Sequence, residues 1–90
     1  MYVITYDIVN DKRRAKLSQT LKDYGVRVQY SVFESDITPD EAEKLKKYIA
    51  KIINLREDSV KFYYIDNRCE EKMETLGKKV VTEFAEYYDV

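Results

Sequence analysis

The chain contains no histidine and no tryptophan, one cysteine, one proline and two glycines. Without histidine there is no imidazole for acid–base catalysis, for a nucleophilic triad or for metal ligation. The single cysteine, Cys69, excludes an internal disulfide and suits a reducing compartment. Gly25 and Gly77 lie far apart and form no phosphate-cradling loop. No apolar run approaches the roughly 18 residues of a membrane span, and no signal-type segment precedes Asp7, so a cytoplasmic protein without membrane contact is expected. Sixteen basic and seventeen acidic residues give a net charge of −1, which excludes an overall basic excess.

Of the 90 residues, 44% are hydrophobic and 37% are charged, which is the balance of one small globular domain covering residues 1–90. A chain this short buries only roughly 60–65% of its unfolded surface, so its core is marginal without association. The even charge balance hides segregation. Lys12 to Arg27 holds six bases (Lys12, Arg13, Arg14, Lys16, Lys22, Arg27) and one acid, Asp23. Glu34 to Glu43 holds five acids and no base, and Lys44 to Arg56 five bases and no acid. From Glu70 to Val90 there are six acids and three bases. Such a layout gives separate positive and negative faces, which are either plain solvated helix surface or a phosphate-binding face.

Residues Tyr2 to Ile8 alternate, with Tyr2, Ile4, Tyr6 and Ile8 on one side, and are β-branched or aromatic enough for a strand. Asn10 or Asp11 can cap a following helix whose apolar stripe is Leu17, Leu21 and Tyr24, with Gly25 as its stop. Val26 to Ser35 reads as one long or bent strand, with Val26, Val28, Tyr30 and Val32 on one face. Thr38-Pro39-Asp40-Glu41 is a capping box opening a helix that buries Ala42, Leu45, Ile49 and Ile52. Ser59 to Asp66 is a third strand. Beyond it, Cys69, Met73 and Leu76 fit a short helix, and Val80 to Tyr88 fits strand and helix equally. Alternating strands and helices imply a sheet with helices packed on it.

Asp7 stands at the carboxyl end of the first strand, where α/β sheets tend to bind ligands. It is either a cap for the next segment or a functional carboxylate. Mg²⁺ is commonly held by one or two carboxylates with water and substrate phosphate, whereas phosphodiester hydrolysis usually wants two carboxylates. A two-fold homodimer turns a residue near its axis into a pair, so two copies of Asp7 can share one metal. Nine tyrosines favour an interface as well as a core.

Three blocks resemble the CRISPR-associated protein 2 family. They are Met1 to Ile8 followed by Asp11-Lys12-Arg13-Arg14 and Leu17, then Arg27 to Glu34, then Asp58 to Tyr63. The resemblance implies an α+β, ferredoxin-like β-α-β-β-α-β sandwich with an additional C-terminal strand. It divides Val26 to Ser35 into two strands and makes residues 67–90 an extension that contributes to a homodimer. It further implies a metal-dependent, Mg²⁺-using endonuclease acting on single-stranded RNA or duplex DNA during spacer acquisition, with Asp7 as catalytic and metal-binding residue. Arg14 and Arg27 fall on the family's basic positions, and Tyr6, Ser31 and Phe33 on supporting ones. Lys16 stands where some members have arginine, keeping the charge but losing the bidentate fork. Arg13, Arg14, Lys16 and Arg27 are then the expected nucleic-acid contacts, gripping the backbone without reading bases. The alternative is a non-catalytic dimeric adaptor that bridges CRISPR integrase subunits and holds DNA; it needs the bases and the dimer but not Asp7 as an acid.

Overall fold

The longer of the two inner strands is buried on both faces. In the computed structural model, which describes residues 1–66, this is β1, Tyr2–Asp7, buried from Tyr2 through Tyr6. It is followed by α1 (Asp11–Leu21), β2 (Val26–Gln29), β3 (Val32–Ser35), α2 (Pro39–Ile52) and β4 (Ser59–Tyr64). The sheet order is β2-β3-β1-β4, with every neighbouring pair antiparallel. That is the expected ferredoxin-like α+β topology. The additional C-terminal strand, the short helix around Met73 and the strand-or-helix choice at Val80 to Tyr88 lie outside the described residues.

Both helices pack on one face of the sheet. Tyr2, Ile4, Tyr6, Ile8 and Phe33 meet Leu17 and Leu21 of α1 and Ala42, Leu45 and Ile49 of α2. Cross-strand aromatics extend this core, Tyr2 lying edge-on to Phe62 and Tyr64 at 6.1 and 5.2 Å. On the opposite face Val3, Val32 and Ile65 form a smaller cluster edged by Met1, Val28 and Tyr63. The α2 capping box is complete. Thr38 Oγ1 accepts the Glu41 N–H at 3.2 Å, and Glu41 Oε1 accepts the Thr38 N–H at 2.9 Å. The Thr38 backbone N–H, first among its causes, holds the Glu41 carboxyl below its ordinary pKa.

Two readings made from the residues alone change. Val26 to Ser35 is a hairpin, not one strand, turning at Tyr30 and Ser31 with a bulge between Arg27 and Gln29. No turn-forming residue marks it because the turn is held from outside. The Tyr6 N–H donates to the Ser31 carbonyl at 3.2 Å, and the Tyr6 hydroxyl to the Tyr30 carbonyl at 3.4 Å. Tyr24 lies beyond α1 and is exposed, so it does not extend the helix's apolar stripe. Gly25 is required by close approach. A Cβ there would sit 2.1 Å from the Glu34 carbonyl oxygen, so no larger residue fits.

Candidate functional site

Asp7 ends β1 opposite Ser59 and is exposed. Its carboxylate makes no hydrogen bond or ion pair with the described residues. Asn10 is the residue that caps α1, its Oδ1 accepting the Arg13 N–H at 3.0 Å, so Asp7 is not spent on a cap. Strand alternation puts Asp7 on the helix-free face with Val3 and Thr5. No group of three or more acidic or cysteine residues able to hold a metal occurs among the described residues. A protein cage therefore does not fit. The single Asp7 carboxylate suits only a hard cation that keeps most of its water.

The basic positions divide into two environments. Arg14 and Arg27 line one open groove of about 380 Å³ between α1 and the β2–β3 hairpin, together with Asp11, Ser18, Lys22 and Tyr30. Arg14 is fixed there by donating from Nη1 to the Ile8 carbonyl at 2.9 Å and from Nη2 to Asp11. Arg27 Nη2 donates to Ser18 Oγ at 3.1 Å and to the Tyr6 hydroxyl at 3.5 Å. Its guanidinium stands over the rings of Tyr30 and Phe33, at 5.7 and 5.9 Å. Of the positions expected to be supporting, Tyr6 and Phe33 contact Arg27, and the Ser31 carbonyl ties the turn to Tyr6. Lys16 is exposed and lies outside this groove.

Arg13 is held elsewhere. Its Nε donates to Asp58 Oδ2 at 2.8 Å, and its Nη2 to Asp58 Oδ1 at 3.3 Å and Glu57 Oε2 at 3.1 Å. The Asp58 side chain is fully buried and also accepts the Val9 N–H at 2.9 Å and the Asn54 N–H at 2.8 Å. The Arg13 hydrogen bond, with the two backbone N–H groups, lowers the Asp58 pKa from 3.8 to about 2 against the opposing effect of burial. Arg13 is itself raised, first by its hydrogen bond to Asp58. One carboxylate so ties the loop after Asp7, the first turn of α1 and the loop before β4. Arg13, expected as a nucleic-acid contact, is ion-paired with Asp58 and Glu57 in the structure. Sequence reading gives Asp58 no role of its own, although an aspartate four residues after Asn54 at the foot of a strand is a loop-closing signal.

The family model described as CRISPR associated protein Cas2 matches residues 1–73. A curated relative from Synechocystis sp., named CRISPR-associated endoribonuclease Cas2 3, is 39% identical over 82 residues, covering 91% of this chain and 89% of its own. Streptococcus pyogenes Cas2 in its pH 6.5 crystal form superposes with a TM-score of 0.73 at 36% identity, over 84% of this chain and 98% of that one. A chain from a partial Cas6-RT-Cas1–Cas2 complex gives 0.73 at 38% identity, over 83% and 88%. No helix among the described residues is long and apolar enough to cross a membrane. With the four-stranded order, the three sequence blocks and the family match in agreement, the chain belongs to the CRISPR-associated Cas2 family.

Proposed function

We propose that this chain is a CRISPR-associated endoribonuclease working as a homodimer, with Asp7 of each subunit at its centre and the Arg14–Arg27 groove holding the nucleic-acid backbone. The observation that carries the reading is the unpartnered Asp7 carboxylate at the end of an otherwise buried central strand. Exposed at the strand end and unpaired within the described residues, this carboxylate is available to a ligand. Asp7 would hold Mg²⁺, which when bound supplies positive charge at the phosphoryl group under attack. Arg14 and Arg27, already pointed by their hydrogen bonds, place cations for backbone phosphates. Lys16 adds charge along α1. Cleavage of single-stranded RNA and duplex DNA, with Mg²⁺ and after EDTA, tests the reading; cutting undiminished by EDTA removes the metal from it.

Association rests on the helix-free face. Val26 pairs with Glu34 and so shares that face with Val3, yet it is 67% exposed. Apolar sheet surface of this kind packs against a second sheet. In solution the chain should run with the mass of two copies, and its Tm should rise with protein concentration. Val26→Glu should weaken association. A concentration-independent monomer would remove both the dimer and the shared Asp7 pair.

The basic groove gives a separate test. Ala at Arg14, Lys16 and Arg27 should weaken binding to every sequence alike and flatten the dependence of log K on log salt by about one unit for each phosphate no longer neutralised. Arg13 is left out of this set because its pairing with buried Asp58 would mix a stability effect into the binding measurement. An unchanged salt slope would turn attention to the exposed bases of α2, from Lys44 to Lys51. One observation favours a second reading, an adaptor within an integration complex: the structural neighbour solved with Cas1. That role uses the dimer and the groove, and retains its function when Asp7 is replaced.

A further inference from the structure

Tyr30 occupies the tip of the β2–β3 turn and is 74% exposed, a large aromatic left in water. It is not loose. The Tyr6 bonds to the Tyr30 and Ser31 carbonyls fix the backbone beneath it, and Arg27 covers part of its ring. The same open groove contains Arg14, Lys22 and Arg27, three cations opposed by one acid, Asp11, which is bonded to Arg14. A fixed, exposed ring beside a row of phosphate-binding cations is the pairing by which proteins hold single-stranded nucleic acid. The cations follow the backbone, and the ring stacks on a base.

Resting on the reading of this groove as the nucleic-acid site, we infer that Tyr30 is a base-stacking platform that selects single-stranded RNA by holding one unpaired base while Arg14 and Lys22 hold the adjacent phosphates. In a duplex the base faces are occupied by neighbouring bases, so the ring gains nothing from it. The site's preference therefore comes from Tyr30, and its grip from the cations.

The chain has no tryptophan, so Tyr30→Trp introduces a single fluorescent reporter at the platform. Binding is measured in EDTA to a short single-stranded RNA and to its duplex. Tyr30→Trp should bind the single strand at least as tightly as wild type, with quenched emission, and Tyr30→Phe should match wild type. Tyr30→Ala should weaken single-strand binding roughly tenfold and leave duplex binding unchanged. A Tyr30→Ala protein with wild-type affinity for the single strand overturns the inference. So does an equal loss on the duplex, because misplacing Arg27 would weaken both. Arg14→Ala read alongside separates the two levels: if it weakens binding while Tyr30→Ala does not, only the stacking fails; if neither does, the groove itself is not the site.

Discussion

Asp7→Asn should lower RNA cleavage on the order of a hundredfold or more while leaving the fold and RNA binding in EDTA intact. The substitution preserves size and one carbonyl oxygen and removes the charge. Its structural effect is small because the Asp7 side chain has no hydrogen bond or ion pair within the described residues, and its backbone pairing with Ser59 is unaltered. Its chemical effect is large because in a homodimer one codon changes both carboxylates. Asp58 cannot substitute, since it is buried and engaged by Arg13, Val9 and Asn54. The affinity of the groove depends on Arg14 and Arg27 and should barely move. Comparing single-turnover cleavage, RNA affinity and Tm for the two proteins checks the three parts separately. Wild-type cleavage by Asp7→Asn would end the catalytic assignment, and an inactive variant that still supports integration would make the adaptor the physiological role.

The second large effect is on stability. Arg13→Ala strips the guanidinium from a buried carboxylate, and Asp58→Ala leaves the Val9 and Asn54 N–H groups without their acceptor. Breaking a buried ion pair from one side leaves an uncompensated partner, and in a domain this small the Tm should fall by roughly 10 °C or more. The pH dependence has a definite sign. Asp58 titrates lower in the folded chain, about 2, than the ordinary 3.8 of an unfolded one. Its contribution is therefore complete above the unfolded value and is lost as pH falls from about 4 through about 2. In Arg13→Ala the main cause of the lowering is gone, so the acid unfolding midpoint should move to higher pH. Thermal melts between pH 2 and 7 measure both. An Arg13→Ala protein with an unchanged Tm and acid midpoint would return Arg13 to the solvated basic face.

What the sequence makes legible follows the range of the forces involved. β1 is read from alternation and α2 from its capping box, because strand pattern and cap are local. The split at Tyr30 is not legible from composition, since the bonds that make the turn come from Tyr6, 24 residues away. The ferredoxin-like order is read from family resemblance for the same reason. Asp7 is visible as a carboxylate where a strand ends. The meeting of Arg14 with Arg27, and the separate fate of Arg13, depend on which side of α1 faces which neighbour. Adjacent arginines in a basic run look alike until Asp58 claims one of them.

The Tyr6-held turn also bears on the order in which the chain folds. Hairpins with Asn-Gly or Gly-rich turns close on local preference and can form early. Here the β2–β3 turn has no such preference, and its outside bonds exist only once β1 lies beside β3. The loop between Tyr6 and Ser31 must close first, including all of α1, at an entropic cost that grows with its length. A long-range folding nucleus built on β1, with the hairpin forming as its consequence, is therefore the expected result of φ-value measurements. Substitutions at Tyr6 should then slow refolding in stopped-flow measurements, whereas those at the exposed Tyr30 ring should leave the refolding rate unchanged.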